Sequence, residues 1–471
     1  MEMSDKVNIA NNVAWRIYPQ YTVVLKIANG QYPYHTLIEL NGPAANIWKV
    51  IAQSMQVSYH QIVSQLGDAY DVNREQLKND TEIFLAKAMT SGIIDYKGGL
   101  KKIQKTKPQS FNDTRTNHRL FITHYHRFQK ECIPFEATLE LNTSCNQRCI
   151  HCYNNNHKEE GLSKEWIFEI LDQLSELGTL ILILTGGEPL MRKDFFELAA
   201  YAREKGFALK IYTNATLINE GIAKEISKMH PMIVETTLYG VSAKVHERIT
   251  RLKGSFHRTT QGIRLLKEYR VPVGVKFILM KENFKENFYD VTMREIKDYI
   301  TKELGVGFYG IGSVPLLPKQ DGSKAPLRHM VNHRQLMEYL SEIKKFIPYK
   351  EKALSTVRRD KEVRECICGS GRTTIHIDSQ GNLAPCLLAE LEGWNIKEHS
   401  IKDYLKHSLK LRQIRAIKRE DLTACNTCLF RKFCVLVCIA MNKKICGSYT
   451  TPIGIYCEIS RTYARIFSKN N

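Results

Sequence analysis

Three cysteines, Cys145, Cys149 and Cys152, lie close together in the spacing C-x3-C-x2-C. The segment before them, residues 135–141, alternates apolar and polar residues and predicts a β-strand. A loop that brings three thiolates to the end of a strand can hold three irons of a [4Fe–4S] cluster, and the fourth iron then stays open for a substrate or cofactor. Structural zinc with His151 as the fourth ligand is the alternative, because Cys3His zinc sites are common. The spacing favours the cluster, since zinc motifs usually carry C-x2-C pairs.

The last third of the chain holds nine of the thirteen cysteines. Two of them, Cys368 and Cys386, flank a predicted hairpin with its turn at residues 378–381. The others that form a pattern are Cys425, Cys428, Cys434, Cys438 and Cys457. A zinc ribbon is the alternative to iron–sulfur clusters for this run. Cys366 is either a further ligand or a spare thiol, whereas Cys132 and Cys446 are expected to be ordinary buried residues.

The composition of the whole chain is that of a soluble globular protein, with 43% hydrophobic and 25% charged residues. No run of about 18 apolar residues occurs, and the N-terminus lacks the basic and apolar regions of a secretory signal. We therefore expect no membrane span. A cysteine-rich chain without an export signal is predicted to bind metal rather than to form disulfides. The sequence thus predicts a cytoplasmic metalloprotein.

The net charge of +19 is unevenly distributed. Residues 1–95 carry 7 Lys and Arg against 9 Asp and Glu, whereas residues 101–130 carry 8 against 1. The basic segment can bind nucleic acid, a membrane surface or an acidic peptide, or it can be a solvated linker. The slight acidity of the N-terminal segment argues against nucleic-acid binding there, because neutralising phosphates needs Lys and Arg.

Strands and amphipathic helices alternate through the middle of the chain. The predicted strands are 135–141, 179–184, 208–212, 232–238, 273–280 and 306–312. The predicted helices are 163–176, 194–205, 218–228, 256–269 and 287–303. Regular alternation indicates an α/β fold with parallel strands and outer helices. The cysteine loop and the two motif loops after it follow C-terminal strand ends, where barrel enzymes place their active sites.

The first hundred residues are predicted to form a small separate domain. Strands are expected at 22–27 and 35–40. Helices are expected from Pro43, after the cap Ser58, and over 73–91. Two or three strands with three helices make a winged-helix-like unit. The basic segment that follows is predicted to be a linker, so the domain is expected to fold independently of the barrel.

The cysteine motif and the loops after it resemble the radical S-adenosylmethionine (SAM) enzymes. That resemblance implies a partial (β/α)6 barrel, a cluster-bound SAM and a Gly-Gly-Glu motif that holds the methionine amino group. The residues expected to contact the cofactor are Gly186, Gly187, Glu188, Pro189, Thr213, Asn214 and Thr237. Ala215 stands where the family more often has glycine. The resemblance assigns no side chain as catalytic.

The C-terminal cysteines resemble the SPASM extension of radical SAM peptide-modifying enzymes. The match implies two auxiliary [4Fe–4S] clusters and hence three clusters in all. The first would use Cys368, Cys386 and Cys438, and the second would use Cys425, Cys428, Cys434 and Cys457. Residues 40–48 resemble the peptide chaperone of pyrroloquinoline quinone biosynthesis (PqqD), whose relatives bind an extended leader peptide as an added strand.

The combined resemblance predicts four segments with distinct roles. They are a PqqD-like domain at 1–98, a basic linker at 99–132, a radical SAM barrel at 133–345 and a SPASM domain at 346–471. The implied function is formation of a Cys thioether cross-link in a ribosomally made precursor peptide, as in sactipeptide and ranthipeptide synthases, through a 5′-deoxyadenosyl radical. Other radical peptide modifications, radical chemistry on RNA or a metabolite, and a non-catalytic carrier are the alternatives. An electron donor such as flavodoxin or ferredoxin is expected as a partner.

Overall fold

The computed structural model describes most of the chain. The described residues are 6–28, 35–54, 56–96, 114–284, 293–311, 316–344, 367–431, 434 and 438–467. The strands are β1 (Lys6–Ile9), β2 (Val13–Ile17), β3 (Tyr21–Lys26), β4 (Thr36–Asn41), β5 (Val57–Ser58), β6 (Ile94–Tyr96), β7 (Glu136–Glu140), β8 (Ile181–Thr185), β9 (Ala208–Tyr212), β10 (Ile233–Leu238), β11 (Val273–Phe277), β12 (Phe308–Ile311), β13 (Thr374–Ile377) and β14 (Leu383–Ala384).

Helices connect and cover these strands. They are α1 (Pro43–Ser54), α2 (Tyr59–Ala69), α3 (Arg74–Thr90), α4 (Thr114–Glu131), α5 (Lys164–Glu176), α6 (Phe195–Glu204), α7 (Glu220–Lys228), α8 (Ala243–Thr250), α9 (Ser255–Glu268), α10 (Met293–Asp298), α11 (His333–Lys344), α12 (Ile401–His407), α13 (Leu409–Ala416), α14 (Thr423–Asn426), α15 (Ile439–Cys446) and α16 (Gly454–Phe467).

The N-terminal domain is winged-helix-like, and its helices begin where the sequence predicts. Ser58 caps α2 with a reciprocal capping box to Gln61, and the Asn73 side chain accepts from the first backbone amides of α3. The sheet β2–β3–β4 packs one face on α1, where Trp48 is fully buried. Strand β2, which the sequence did not reveal, forms one edge of that sheet.

The middle of the chain is the predicted partial barrel. Strands β7 to β12 are parallel neighbours in chain order, and helices such as α5 and α6 bury their apolar faces against them. All six predicted strands are present within a few residues of their expected bounds. Helix α8 was not predicted. It follows β10, and its C-terminal residues contact the cysteine loop.

The C-terminal hairpin extends the barrel sheet instead of forming a separate layer. Strand β13 pairs in parallel with β7, with His376 opposite Thr138, and β14 closes the hairpin. The sheet order is therefore β12-β11-β10-β9-β8-β7-β13-β14, and the sheet stays open between its two edge strands. This arrangement places the cysteine-rich segment directly beside the first barrel strand.

The N-terminal domain is docked on the barrel. The second face of its sheet packs against residues that immediately precede the barrel strands, including Phe135, Leu180 and Met232. The Tyr18 hydroxyl donates to the Gly178 carbonyl at 2.8 Å. The domain thus covers the N-terminal ends of the strands, opposite the end that carries the cysteine loop.

The prediction of a linker over 99–132 is wrong for its second half. Residues Thr114–Glu131 form α4, because Phe128 is fully buried between Tyr18 and Phe135 and gives the helix an anchor. His124 of α4 makes a 2.8 Å contact with Glu39 of β4. Residues 97–113 lie outside the described part of the chain.

Candidate active site

The three cysteines of the first motif lie on the loop after β7, at the C-terminal end of the barrel. Two backbone bonds of 3.0 Å hold this loop against α8: the amides of Arg148 and Ile150 donate to the carbonyls of Thr250 and Ile249. The loop is therefore fixed by main-chain contacts with a neighbouring element, which is what a preformed ligand loop requires.

The three thiols of this loop are close enough to influence one another's pKa. Burial raises the pKa of Cys145 to about 11 and that of Cys149 further, and the charges of Cys152 and Cys145 add to the shift at Cys149. Three thiolates in one buried place need a compensating positive charge, which iron supplies. The donor set thus fits an iron–sulfur cluster. Among the described residues, no three His, Cys, Asp or Glu side chains are arranged to hold a single metal ion.

The Gly-Gly-Glu motif follows β8 and packs tightly on the segment just before the cysteines. A Cβ atom at Gly187 would lie 2.3 Å from the carbonyl oxygens of both Thr143 and Ser144. Gly186 has φ +144°, and a Cβ there would lie 2.4 Å from the Asn142 carbonyl oxygen. Only glycine permits this approach of two backbones. The two motif loops therefore form one unit.

The carboxylate of Glu188 ties the second motif loop to the third. It accepts from the Thr213 hydroxyl and the Asn214 amide, both at 2.7 Å, and from the Leu190 amide at 3.1 Å. Burial raises the pKa of Glu188 to about 7 even though these hydrogen bonds lower it. Pro189 is buried and begins a short 3-10 turn. In this structure the Glu188 side chain is thus engaged with protein donors.

Asn214 connects the third motif loop to the first cysteine. Its side-chain amide lies 3.9 Å from Cys145 Sγ and donates to Asn146 Oδ1 at 2.8 Å, while Asn146 donates to Thr216. Asn146 and Thr216 were missed by the sequence interpretation, since nothing marks them apart from their neighbours. Ala215 has φ +58°, a left-handed conformation that explains why glycine suits this position.

The fourth strand brings a tyrosine to the cysteine loop. Tyr239, just after β10, is buried, and its hydroxyl lies 3.3 Å from His151 Nε2. Burial raises the pKa of Tyr239, and the negative charge of the Cys149 thiolate raises it further. The predicted residue Thr237 lies half-buried on β10. Tyr239 was not predicted, although it stands in the same motif segment.

Charged residues line the barrel below these loops. Lys210 Nζ contacts Glu136 Oε2 at 2.5 Å, and Lys276 contacts Glu235. The Lys276 ammonium also lies 4.4 Å from the centre of the Tyr212 ring, yet its side chain remains 46% exposed. Polar side chains that reach water inside a barrel indicate an interior able to receive a polar ligand.

A buried cluster of three polar side chains joins the barrel to the C-terminal hairpin. The Tyr153 hydroxyl donates to Glu140 Oε1 at 2.7 Å, and His376 Nε2 of β13 lies 3.9 Å from the same oxygen. Burial raises the pKa of Glu140 to about 7 and lowers that of His376 to about 3. Tyr153 directly follows Cys152, so this group connects the cysteine loop with β13.

Several of the C-terminal thiols lie close enough to influence one another's pKa. Burial and then the charge of Cys386 raise the pKa of Cys438. After burial, the charges of Cys434 and Cys428 raise the pKa of both Cys425 and Cys457. The amide of Gly371 donates to the Pro385 carbonyl at 2.9 Å, which brings the Cys368 loop beside Cys386. Cys366 lies outside the described residues, and Cys446 is exposed rather than buried as expected.

Three family models match separate parts of the chain. Residues 139–294 match the radical SAM superfamily, residues 22–94 match the coenzyme PQQ synthesis protein D family, and residues 366–429 match the SPASM iron–sulfur cluster-binding domain. Residues 139–294 thus form a radical SAM domain. The chain carries a PqqD-like domain before the barrel and a SPASM domain after it.

Relatives of this chain include a porphyrin synthase and a bacteriocin biosynthesis protein. The chain is 34% identical over 167 residues to Fe-coproporphyrin III synthase of Methanosarcina barkeri, covering 35% of the chain and 41% of that protein. It is 28% identical over 319 residues to the antilisterial bacteriocin subtilosin biosynthesis protein AlbA of Bacillus subtilis, covering 64% of the chain and 66% of AlbA. The chain thus spans less than two thirds of each.

A solved structure has the same fold over nearly the whole chain. The crystal structure of Streptococcus suis SuiB bound to precursor peptide SuiA superposes with a TM-score of 0.57 at 15% identity, covering 93% of this chain and 97% of SuiB. Across the described ranges, no helix of this chain is both long and apolar enough to cross a membrane.

Proposed function

We propose that this radical SAM protein modifies a ribosomally made precursor peptide, which it recognises through a leader, and that it forms Cys thioether cross-links. The observation that carries the proposal is the fusion of a PqqD-like sheet to the radical SAM barrel through one buried apolar cluster. A leader-recognition domain packed on a radical enzyme indicates a peptide substrate, because a small metabolite has no leader to bind. AlbA, a bacteriocin biosynthesis protein, supports the same substrate class.

The binding surface for the leader is the outer edge of β4. Among the described strands, β4 pairs with β3 on one side only, so its other edge offers backbone donors and acceptors to an added strand. The sequence predicts α3 as the second wall of the groove. In the structure α3 packs on α1, α2 and β6 instead, and the described helices packed against β4 are α1 and α4; α4 brings His124 to Glu39.

The chain's own residues would hold and orient the reagents. Cys145, Cys149 and Cys152 would ligate the cluster, and the glycine cradle with Asn214 would border the cofactor beside it. When bound, SAM and a reduced cluster supply one-electron chemistry that removes hydrogen from an unactivated carbon. Tyr239 packs over the thiols and helps to exclude water from the site.

The two C-terminal cysteine groups would each hold an auxiliary [4Fe–4S] cluster, so that the protein carries three. An auxiliary centre beside the barrel sheet would accept the electron that cross-link formation releases. A flavodoxin or ferredoxin would exchange electrons with the protein.

A second candidate function is chemistry on an iron porphyrin, because the chain shares 34% identity with Fe-coproporphyrin III synthase over part of its length. Lys210 and Lys276 in the barrel interior are the residues that porphyrin carboxylates would contact. Each lysine already contacts a glutamate, however, which leaves less positive charge for such a ligand.

Co-expression with short cysteine-containing reading frames encoded beside the gene tests the proposal. Mass spectrometry should show a peptide that has lost two hydrogen atoms per cross-link. Its cross-linked cysteines should no longer react with a thiol-alkylating reagent. A peptide that stays unmodified, together with formation of Fe-coproporphyrin III from an iron tetrapyrrole precursor by the same preparation, would favour the second candidate instead.

A further inference from the structure

The loop that carries the three cysteines of the first motif is closed at its base by contacts between its two ends. The backbone amides of Thr143 and Ser144 both donate to the Glu159 carbonyl at 3.1 Å. Gly161 has φ +86°, and a Cβ atom there would overlap the Leu141 carbonyl oxygen, so only glycine permits this approach. The chain entering the loop and the chain leaving it thus lie against each other. We call residues 141–144 and 159–162 the neck of the cysteine loop.

One side chain, that of Arg192, holds both ends of the neck. Its Nη1 donates at 2.9 Å to the Leu141 carbonyl, which lies before the cysteines. The same nitrogen lies 2.9 Å and 2.8 Å from the carbonyl oxygens of Glu160 and Leu162, which lie after them. Because this nitrogen carries two hydrogens, at least one hydrogen is shared between two carbonyls. A guanidinium group, with several donors in one plane, suits this position better than the single ammonium of a lysine.

Asp194 orients the guanidinium of Arg192. Its two carboxylate oxygens accept from Nε at 2.8 Å and from Nη2 at 2.7 Å, which makes a bidentate pair. Asp194 also directly precedes α6, where an aspartate usually accepts from the first helix amides, yet its side chain makes no such bond here. The Arg192 side chain is 8% exposed, and its hydrogen bonds lower the pKa of Asp194. The carboxylate therefore binds Arg192 instead of capping the helix, and it compensates the positive charge.

Arg192 belongs to the segment that carries the Gly-Gly-Glu motif. Its amide donates to the Pro189 carbonyl at 3.1 Å, where the short 3-10 turn after Glu188 ends. Nearer the cysteines, the Glu188 amide donates to the Ser144 carbonyl at 2.8 Å. The cysteine loop and the Gly-Gly-Glu segment are therefore joined at two places, by backbone bonds beside the cysteines and by the Arg192 side chain at the neck.

We propose that Arg192 is a positioning residue for SAM, because it holds the neck of the cysteine loop closed and at a fixed distance from the Gly-Gly-Glu segment. Its five side-chain hydrogen bonds all go to protein groups, so the two loops take their working geometry before a cluster or SAM is bound. Arg192 acts only through the loops that it joins. Because Asp194 compensates its charge, the effect comes from its hydrogen bonds and not from an electric field at the thiols.

The inference rests on the proposed ligation of a cluster by Cys145, Cys149 and Cys152, but not on the nature of the substrate. Groups that hold the ligands of a metal in place typically change metal affinity or activity by about tenfold or more when they are replaced. The alternative is that Arg192 only stabilises the start of α6. Its loss would then lower the stability of the barrel and leave the SAM affinity of the folded protein unchanged.

Equilibrium dialysis of SAM against the full-length reconstituted protein, compared at equal iron content, tests the proposal. Arg192→Ala should raise the Kd for SAM about tenfold. Arg192→Lys should raise it by a smaller factor, because an ammonium group can still donate to part of the neck, and this variant carries the same comparisons if Arg192→Ala does not fold. Guanidinium chloride at low millimolar concentration should restore affinity to Arg192→Ala, whereas sodium chloride at the same concentration should not. Lys193→Ala, at the exposed neighbouring position, is the matched control and should bind SAM as the wild type does.

Two further measurements separate positioning from stability. In the cluster-free protein, the Thr143 and Ser144 amides should exchange hydrogen faster in Arg192→Ala, whereas exchange in β7 and β8 should match the wild type. In the reduced protein, the change that SAM makes in the electron paramagnetic resonance spectrum of the cluster should need about ten times as much SAM. Unchanged SAM affinity in Arg192→Ala, equal losses in Lys193→Ala, or faster exchange throughout the barrel strands overturns the proposal. The expected effects of Arg192→Ala, together with no cross-linked peptide from the wild type, would reject only the proposed function.

Discussion

The guanidinium of Arg16 lies over the ring of Phe207, with 4.1 Å between its central carbon and the ring centroid. Arg16 is 3% exposed and donates to the backbone carbonyls of Thr179 and Lys205 on the barrel. Arg203 of the barrel returns the contact by donating to the carbonyls of Asn11 and Val13 at 2.8 Å. Each arginine thus donates to backbone carbonyls of the other domain. The PqqD-like domain and the barrel are therefore packed against each other through buried hydrogen bonds.

Arg16→Ala should lower the free energy of unfolding by about 3 kcal/mol, because it leaves two buried carbonyls without their donor and removes the contact with Phe207. Urea denaturation monitored by circular dichroism measures this loss. Arg74→Ala, at an exposed position of α3, is the control and should change stability little. A loss of less than about 1 kcal/mol for Arg16→Ala would show that the domains are only loosely associated.

The same interface predicts that the barrel does not stay soluble without the N-terminal domain. Removing residues 1–98 would expose Leu180, Met232 and other apolar residues at the N-terminal ends of the strands. The truncated chain should therefore aggregate. The sequence could not reveal this interface, because strand β2 is short and Arg16 on it looks like an ordinary exposed charge until its barrel partners are known.

Much of the barrel and of its motif loops was predictable. Local periodicity predicted strands such as β8 and β9, and the positions of the Cys and Gly-Gly-Glu motifs identified the end that carries the site. Tyr239, Asn146 and His376 were missed, because their roles depend on contacts between segments far apart in sequence. The pairing of β13 with β7 was missed for the same reason, since an alternating pattern within one strand does not specify its partner strand.

Gly187→Ala should disrupt the site without unfolding the barrel. The added methyl would lie 2.3 Å from two carbonyl oxygens, so the loop that carries the cysteines must move. We expect SAM affinity to fall at least about tenfold, measured by equilibrium dialysis on the reconstituted protein. Gly307→Ala is the matched control, since nothing lies within 4 Å of the position that its added methyl would occupy. Unchanged affinity in Gly187→Ala would show that the two loops are not coupled.

Glu140→Gln should change how stability depends on pH. Burial raises the pKa of Glu140 to about 7 in the folded protein, against 4.5 ordinarily. The folded state therefore keeps a proton that the unfolded state releases, and the free energy of unfolding falls as pH rises through this window, by up to about 1.4 kcal/mol per pH unit. Glutamine stays neutral and can still accept from Tyr153.

With both proteins free of clusters, Glu140→Gln and the wild type should have the same free energy of unfolding at about pH 4.5, the lower end of that window. At about pH 8, above its upper end, the free energy of unfolding of Glu140→Gln should be the larger. Urea denaturation at several pH values measures the difference. Glu204→Gln, at an exposed position of α6, is the control and should leave the pH profile as it is. A parallel profile for Glu140→Gln would show that this carboxyl is ionised in the folded protein at neutral pH.

Replacing Cys425, Cys428 and Cys434 together with Ala should stop cross-link formation without stopping SAM cleavage. These thiols share a group with Cys457 of α16, outside the barrel sheet, so their loss leaves the glycine cradle and the first cysteine loop intact. We expect about four of about twelve irons to be lost. SAM cleavage without peptide should persist, while cross-linked peptide should disappear.

The triple variant of Cys145, Cys149 and Cys152 gives the opposite result, since it removes a similar amount of iron and abolishes SAM cleavage altogether. Cys446→Ala is the matched control, because this thiol is exposed and lies in neither group; its iron content and activities should equal those of the wild type. Iron analysis, chromatography of 5′-deoxyadenosine and mass spectrometry of the peptide report the three quantities separately. Full-rate cross-linking without the Cys425 group would mean that these thiols only stabilise the C-terminal domain, and the electron released by the substrate would then have to leave through the Cys386 group.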